Sequence, residues 1–356
     1  MNEDRLTKYK RKRRRFIYNI LLMIGTMFSL GVGMVAGYYG NIFRNFVDDV
    51  SVSDTVDADQ LKDLDERIRN GEPFSVLLLG VDVEEENISR SDSIIVTTIN
   101  PKKDSIKMVS IPRDTIVYLP DGHMEKINAA YAIGKIDLSR QMVSEYLDIP
   151  IDFYGVLDFE GLIKFVDAVG GVTVNSPFDF DESDYRKGDG SRIYIKKGKQ
   201  RLNGDEALAY SRMRYQDNQG DFGRQDRQKE VVISLTKELA SISNLANIQK
   251  VLDSIRSYLI TNVSSSNILA VASKYGAASN NIKTLHLRGE DGTLVYFPIY
   301  DQELWAWQAY DESRLDIQNE LRRHLSLPEK ETLDQVGEYH YYTPEEFIHP
   351  FQENQD

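Results

Sequence analysis

Arginine is concentrated in the stretch YSRMRYQDNQGDFGRQDRQ, at residues 210–228, which contains Arg212, Arg214, Arg224 and Arg227. The chain of 356 residues has a formal net charge of −13, so the cluster is a local departure from an acidic background. Planar guanidinium groups bind phosphate oxygens two at a time and keep their charge at physiological pH. Sulfate and carboxylate ligands satisfy the same geometry. The stretch therefore indicates an anion site, with phosphate as the first interpretation.

The local pattern divides this stretch into two halves. Arg212 and Arg214 alternate if the first half is extended, whereas Arg224 and Gln228 share one side of a helix. We expect that helix to begin at Gly223, where unpaired backbone N–H groups would face the same anion. Together the halves predict an anion clamp joined by a glycine-containing loop.

Two further residues of the stretch have different interpretations. Arg227 lies about 100° from Gln228 around the helix, so we expect it to be structural or ion-paired. Asp221, in GDFGR, is a candidate general base, but it could instead orient an arginine or cap the helix.

Two acids flank the loop between the first predicted strands. Asp82 directly follows VLLLGV, and Asp92 comes just before SIIVTT, so both carboxylates can meet at one edge of the sheet. Hard oxygen ligands with open positions suit Mg²⁺ (or Mn²⁺), which takes its other ligands from water and substrate phosphate. The alternative is that Asp82 caps a turn and Asp92 caps the entry to a strand.

Three more cations come close to predicted strand ends or a helix start: Arg90 in SRSDS, Arg113 in SIPRDT and Lys126 in EKINAAY. A single surface cation is usually solvated or ion-paired, and Arg90 and Arg113 could pair with Asp92 and Asp114. Several guanidinium groups at neighbouring strand ends can instead converge on one polyanion.

Composition excludes several classes of protein. The chain has no cysteine, so disulfides, thiolate nucleophiles and sulfur metal sites are absent. No histidine lies inside these motifs, and no Gly-x-Ser-x-Gly, His-Glu-x-x-His or Walker loop occurs, which disfavours serine hydrolases, zinc enzymes and nucleotide hydrolases. The acidic balance disfavours nucleic acid as a partner, because phosphate neutralisation needs a broad basic surface.

The N-terminus predicts a membrane protein. Residues 1–15 carry eight lysines and arginines against two acids, and residues 16–40 carry no charge. An uncharged stretch of that length can cross roughly 30 Å of hydrocarbon as a helix, whereas a cleaved signal peptide has an apolar region of about 7–15 residues. The positive-inside rule places residues 1–15 in the cytoplasm and the remainder outside the cell.

Strand and helix patterns alternate along the rest of the chain. Strands are expected at 74–81, 93–100, 105–112, 153–157 and from 171, and helices near 129–135, 139–147, 159–169, 203–212, 301–310 and 313–324. We expect an acidic stalk at 41–72 that is partly helical, a folded domain at 73–325 and an acidic tail at 326–356. The fold class is α/β, or a sandwich-like α+β, with a central mixed sheet covered by helices and preceded by one transmembrane helix.

Five pieces of the chain together resemble the LytR-CpsA-Psr family of cell-wall enzymes of Gram-positive bacteria: LLLGVD, RSDSIIVTTINPKKDSIKMVSIPRDT, KINAAYAIGK, DFEGLIKFVDAVGGVTVN and LNGDEALAYSRMRYQDNQGDFGRQDRQ. They occur in unbroken order over about residues 74–235, and the single N-terminal span also fits. The resemblance implies a phosphotransferase that moves a phosphate-linked glycopolymer from undecaprenyl pyrophosphate to peptidoglycan. Wall teichoic acid and capsule are typical cargoes.

The resemblance also implies roles for residues at matching positions. Asp82 and Asp92 resemble the Mg²⁺ pair. The positions that resemble the pyrophosphate-binding set are Arg90, Arg113, Arg212, Arg214, Arg224 and Gln228, with Lys126 as an addition. Arg90, Arg113 and Arg224 are the expected catalytic cations, and Asp221 is the candidate base. The lipid would need an apolar groove, for which the space between the sheet and the helix containing LIKFVDAV is a candidate.

Two other functions stay open at this point. A hydrolase of lipid pyrophosphates would use the same pocket with water in place of the sugar hydroxyl. A non-catalytic wall-polymer binder or membrane-bound transcriptional regulator is the second alternative, although an extracellular domain and the lack of a helix-turn-helix pattern argue against a regulator.

Overall fold

The computed structural model describes residues 58–82, 90–187, 189–241, 245–263, 267, 278, 281–289 and 292–333. The predicted cytoplasmic segment 1–15, the predicted transmembrane helix 16–40, the stalk up to residue 57 and the tail beyond residue 333 lie outside these ranges. Within them, no helix combines the length and apolarity that a membrane span requires.

The elements alternate as the sequence predicts. The helices are α1 (Ala58–Arg69), α2 (Ala129–Leu147), α3 (Phe159–Ala168), α4 (Gly204–Arg212), α5 (Gly220–Ser241), α6 (Leu245–Ile255) and α7 (Asp311–His324). The strands are β1 (Phe74–Val81), β2 (Ser91–Asn100), β3 (Ser105–Ser110), β4 (Ile116–Tyr118), β5 (Met124–Lys126), β6 (Phe153–Asp158), β7 (Val172–Ser176), β8 (Phe180–Ser183), β9 (Arg192–Ile195), β10 (Gly198–Leu202), β11 (Leu259–Thr261), β12 (Ile282–His286), β13 (Thr293–Phe297) and β14 (Gln302–Ala306).

The main sheet has six strands in the order β11-β6-β1-β2-β3-β12. Strands β1, β2 and β3 are antiparallel neighbours, while β6 runs parallel to β1 and β12 parallel to β3. The prediction of a mixed sheet is therefore confirmed. Shorter antiparallel pairs, β4–β5, β7–β10, β8–β9 and β13–β14, surround it.

Both faces of the main sheet are covered. Because side chains alternate along a strand, Leu77 and Val96 point into a core with helices α2 and α7, which also contains Met142 and Leu321. Leu78 on the opposite face lines a cavity beneath α3 and α5. This alternation gives the sheet one filled face and one face with space for a ligand.

The structure differs from the predicted elements in three places. The segment 301–310 was expected to be helical, but residues 302–306 form β14 because they pair along their whole length with β13. The two helical patterns near 129–147 form one element interrupted at Lys135, whose φ is +52°. The helix expected from Gly223 begins at Gly220. Arg212 ends α4, in agreement with the helix predicted at 203–212, so the extended alternative for Arg212 is wrong.

Segments on both sides of residues 73–325 pack against the domain. Helix α1, within the predicted stalk, buries Leu64 and Ile68 with Phe74 and Phe153. After the last helix, Leu327 packs against the main core. The folded unit thus includes the end of the stalk and the beginning of the tail.

Candidate active site

A β-bulge brings the two predicted metal ligands to the same end of one strand pair. Gly80 pairs with Ser93 and Val81 with Ser91, so Asp92 is an extra residue in β2. Asp82 comes directly after Val81. A bulge redirects the side chain of the extra residue and often occurs beside active sites. The structure therefore places both acids at the end of β1–β2, as the sequence predicts.

Arg113 connects this strand end to a chain of ion pairs. Its Nη1 lies 2.5 Å from Oδ1 of Asp92, and its Nε lies 3.6 Å from Asp114. Asp114 in turn lies 3.0 Å from Nζ of Lys126. Burial lowers the pKa of Arg113, but the charge and hydrogen bond of Asp92, with smaller contributions from Asp114 and Asp221, outweigh it and raise the pKa. Lys126 is therefore connected to Arg113 through Asp114, which forms ion pairs with both.

The start of helix α5 supplies the second cationic group. Oδ1 of Asp221 lies 2.5 Å from Nη2 of Arg224 and 4.0 Å from Nε of Arg214, and its other oxygen accepts a hydrogen bond of 2.9 Å from Gln225. Burial lowers the pKa of Arg224, and the charges of Arg113 and Arg214 lower it further against the opposing effect of Asp221. The charges of Arg113 and Arg214 thus disfavour the charge of Arg224, which a bound anion would stabilise.

Two donors at the centre of this cluster have no hydrogen-bond partner. Nε of Arg113 and Nε of Arg224 are both buried without one. Buried polar groups without partners are uncommon in proteins, and each costs about 1–3 kcal/mol. A bound anion would satisfy both.

The other predicted binding residues lie around the same mouth. The guanidinium of Arg212 stacks on the rings of Phe159 and Tyr185, 5.4 Å from each centroid. Burial raises the pKa of Tyr185, the charge of Asp82 raises it further and that of Arg212 lowers it. The charges of Asp82 and Arg212 therefore both influence the pKa of Tyr185, which places the two residues near the same ring. Gln228 lines the cavity, with its Nε2 3.4 Å from the carbonyl oxygen of Ser211.

Arg90 lies at the side of the site formed by the β13–β14 hairpin. The hydroxyl of Tyr300 donates to Glu125, and this hydrogen bond, with burial, raises the pKa of Tyr300. The charge of Arg90 lowers the same pKa. Five predicted site residues line the cavity, namely Asp92, Arg113, Arg212, Arg224 and Gln228, and the other five, Asp82, Arg90, Lys126, Arg214 and Asp221, do not.

A cavity of about 420 Å³ extends from this polar mouth between the sheet and the helices. Helix α3 contributes Leu162 and Phe165, so an apolar groove exists where the sequence suggests one. The apolar lining also includes residues that sequence reasoning missed: Leu78, Ile95, Leu157, Leu208, Val231, Val232, Leu235, Leu239 and Leu259. The lining residues on α5 repeat at helical spacing, but residues that pack into an ordinary core have the same spacing. The sequence pattern therefore does not distinguish a cavity from a core.

Arg227 is structural, as the helical angle predicts. Its Nη1 lies 2.5 Å from buried Asp217, and its other nitrogens donate to the carbonyl oxygens of Tyr210 and Met213. The guanidinium also packs against the rings of Phe180 and Tyr210. It therefore ties helix α5 to helix α4 on the side away from the cavity.

The sequence model of the LytR_cpsA_psr family matches residues 44–323. The chain belongs to the LytR-CpsA-Psr family. Among its relatives, the polyisoprenyl-teichoic acid–peptidoglycan teichoic acid transferase TagU of Bacillus subtilis (strain 168) is 35% identical over 317 residues, which cover 89% of this chain and 98% of TagU. The corresponding TagV transferase of the same organism is 45% identical over 226 residues, 62% of this chain and 57% of TagV.

Solved structures of family members share the fold. The crystal structure of B. subtilis TagV superposes with a TM-score of 0.63 at 38% identity and covers 72% of this chain and 99% of that one. A structure of TagT bound to LI-WTA has a TM-score of 0.59 at 27% identity and covers 73% of this chain and 93% of the TagT chain. The present chain is therefore similar to relatives that are named as transferases over most of the described domain.

Proposed function

We propose that the protein is a phosphotransferase that moves a phosphate-linked glycopolymer, such as teichoic acid or capsule, from a polyprenyl pyrophosphate to peptidoglycan. The observation that carries the proposal is the cavity, because it is apolar along its length and ends at a mouth that contains Arg113 and Arg224. A polyprenyl pyrophosphate has the same division into a long hydrocarbon and a dianionic head. The names of the relatives TagU and TagV support this class of donor and acceptor.

The arginines bind the pyrophosphate. The Nε donors of Arg113 and Arg224 have no hydrogen-bond partner and can donate to its oxygens, and Arg212, Arg214 and Gln228 surround the same mouth. Arg90 and Lys126 increase the positive potential from the side. Fixed donors in a buried site stabilise the charge that develops during phosphoryl transfer more strongly than water does.

Asp82 and Asp92 are the residues that would hold Mg²⁺ or Mn²⁺. Their fit to a hard cation is supported by the bulge, which brings both acidic residues to the same strand end beside an anion site. The metal would neutralise charge on the pyrophosphate oxygens. Water and the substrate would provide the remaining ligands.

In the proposed reaction, the hydroxyl oxygen of a peptidoglycan sugar attacks the phosphorus attached to the glycopolymer. The bond between that phosphorus and the bridging oxygen breaks. The products are a glycan phosphodiester and the lipid monophosphate, and the hydroxyl proton is released. Arg113 and Arg224 stabilise the charge on the leaving phosphate, while Asp221 holds Arg224 in position.

The membrane anchor belongs to the same proposal. Residues 16–40 would span the membrane once, with residues 1–15 in the cytoplasm and the active site outside the cell. This arrangement places the active site on the outer side of the membrane, where such a lipid-linked substrate would be found.

The test is a reconstitution with the full-length protein, a lipid-pyrophosphate glycan, peptidoglycan oligomers and Mg²⁺. We expect a glycan phosphodiester on peptidoglycan and an equal amount of lipid monophosphate. Release of the glycan phosphate into water would show a lipid-pyrophosphate hydrolase instead. Binding of the polymer without either product would show a non-catalytic binder.

A further inference from the structure

The outer face of the β13–β14 hairpin presents apolar and aromatic side chains to solvent. Along β13, Val295 and Phe297 are buried, whereas Leu294 and Tyr296 point outward. Trp305 on β14 lies directly opposite Leu294 and is 47% exposed. Large exposed apolar groups that share one face of a sheet mark a binding surface more often than scattered ones do.

The inner face of the hairpin packs beside the active site. Val295, Phe297 and Ala306 form a cluster with Ile116, which follows Arg113 by three residues. The ring of Trp307, just after β14, makes an edge contact with Phe222, the neighbour of Asp221, at 5.8 Å between centroids. The hairpin is therefore packed against the segments that carry Arg113 and Asp221.

Trp305 is held in place before any ligand binds. A Cβ at Gly292 would come within 2.6 Å of its Nε1 and 2.7 Å of its Cε2, so the indole lies directly on the glycine backbone. Only the lack of a side chain at residue 292 permits this contact. A pre-positioned ring loses less conformational entropy on binding than a mobile one does.

The hairpin and helix α1 lie at opposite ends of the main sheet. Helix α1 packs where β1 begins, against Phe74, whereas the hairpin packs near the other end of β1, beside the Arg113 segment. Eight residues of strand span about 26 Å. Helix α1, which follows the predicted membrane span along the chain, therefore lies at the end of the domain away from the hairpin.

The charge of the hairpin excludes two classes of ligand. Residues 293–306 contain Asp301 and Glu303 but no lysine or arginine. Surfaces that bind anionic lipid headgroups carry basic residues, and a polyanionic polymer would be repelled by these acids. An uncharged sugar chain is compatible with them, because its C–H faces pack on aromatic rings and its hydroxyls bond to carboxylates.

We propose that the outer face formed by Leu294, Tyr296 and Trp305 binds the uncharged sugar backbone of the acceptor glycan strand. This inference rests on the proposed function for the identity of the acceptor. The hairpin would hold the strand beside Arg90 and the mouth of the cavity. It acts in positioning the acceptor, and it has no part in holding the lipid donor.

Tryptophan fluorescence of the full-length protein in detergent tests the proposal. The chain has two tryptophans, and because Trp307 is buried, the signal that a Trp305→Phe variant loses belongs to Trp305. Titration with an N-acetylglucosamine oligomer, which is an uncharged glycan strand, should change that signal saturably. Trp305→Ala should weaken binding of the strands about tenfold, as truncation of a central aromatic contact does.

Two variants control for unfolding and for nonspecific aromatic contacts. Gly292→Ala leaves Trp305 in the chain but crowds both its ring and the carbonyl oxygen of Ala306, so we expect it to weaken strand binding as well, with the melting temperature reporting any loss of the hairpin fold. Tyr194→Ala removes an exposed ring from β9 and should leave binding unchanged. Unchanged strand binding by Trp305→Ala would overturn the proposal.

Vesicles provide the second arm. When the protein is reconstituted in phosphatidylglycerol vesicles that contain a brominated lipid, Trp305 emission should not be quenched. Quenching would show that the hairpin contacts the membrane and would overturn the proposal. These binding measurements need no lipid donor, so they remain informative if the transfer assay fails. Transfer activity without strand binding at the hairpin would overturn this inference and leave the proposed function intact.

Discussion

Asp221 and Arg224 form an ion pair of 2.5 Å within the first turn of α5, at the edge of the cavity. The same carboxylate lies 4.0 Å from Arg214, so its geometry favours orienting the arginines over accepting a proton. We expect Asp221→Asn to lower transfer about tenfold, the loss of one charge-assisted contact. The shape of the pH–rate profile should stay the same.

A general base would behave differently. Its removal lowers rates by about 10²–10⁴ and eliminates the acidic limb of the pH profile. Transfer rates of Asp221→Asn between pH 5 and 9 separate the two roles, with Asp226→Asn on the next turn as a matched control. Loss of the acidic limb in Asp221→Asn alone would identify Asp221 as the base.

Arg224 and Arg227 lie three residues apart and should give opposite phenotypes. Burial disfavours the charge of Arg224, so Arg224→Met should change the free energy of unfolding by less than about 1 kcal/mol while lowering turnover by a hundredfold or more. Arg227→Met would leave Asp217 buried without its partner and should destabilise the fold by about 3 kcal/mol.

Thermal melting and turnover below the melting temperature measure the two effects separately. A large loss of stability in Arg224→Met, or of turnover in folded Arg227→Met, would contradict this division of roles.

Asp82 and Asp92 should determine the metal requirement. We expect Asp82→Asn to raise the Mg²⁺ concentration needed for half-maximal transfer, because one of two anionic oxygen ligands is lost. Mn²⁺ binding, followed by electron paramagnetic resonance without substrate, gives a readout independent of activity. Glu160→Gln, at a half-buried acid on α3 that pairs with Arg186, is the control, and equal Mn²⁺ affinity in all three proteins would refute the metal assignment.

The depth of the cavity should determine the preferred lipid length. Val232 lines the apolar part, so Val232→Trp should fill it and weaken binding of a long polyprenyl donor. Exclusion of as few as two methylene groups corresponds to about a tenfold effect. A donor analogue with a short prenyl chain should be unaffected.

Apparent KM values for the two donors measure this selectivity. Ile133→Trp places the same ring on the exposed surface of α2 and should affect neither. Equal losses for both donors with Val232→Trp would argue against a lipid-binding cavity.

His324 should make the fold sensitive to acid. It is fully buried, with ring nitrogens 2.7 Å from Thr98 Oγ1 and 3.0 Å from Ser105 Oγ. Burial, followed by the charges of Lys107 and Lys103, lowers its pKa to about 4. The unfolded chain therefore binds more protons between about pH 4 and 6.5, and stability is lost as the pH falls through this range, by about 3 kcal/mol in total.

Melting temperatures between pH 4 and 7 test this dependence. The His324→Gln protein should show a flatter pH dependence than the unsubstituted chain, whereas His123→Gln, at an exposed turn, should not. An identical pH dependence in all three proteins would show that His324 contributes nothing to acid sensitivity.

The features that local sequence determines were predicted well. Short apolar runs of strand length predicted β1 and β2, and Asp158 caps the start of α3, where its side chain accepts a hydrogen bond of 2.7 Å from the backbone N–H of Gly161. The helical angle alone separated Arg227 from Gln228. Each of these depends on residues within a few positions of one another, so the pattern is visible in the chain itself.

Contacts between distant segments decided the rest. Residues 302–306 became a strand because β13 was available to pair with them. The sequence groups Lys126 with the anion-binding residues, but in the structure its charge is neutralised by an ion pair with Asp114. The sequence by itself determined the chemistry, which is an arginine cluster beside two acids. Only tertiary structure decided that a cavity lies beneath the cluster and that Trp305 is exposed beside it, because burial depends on which distant surfaces meet.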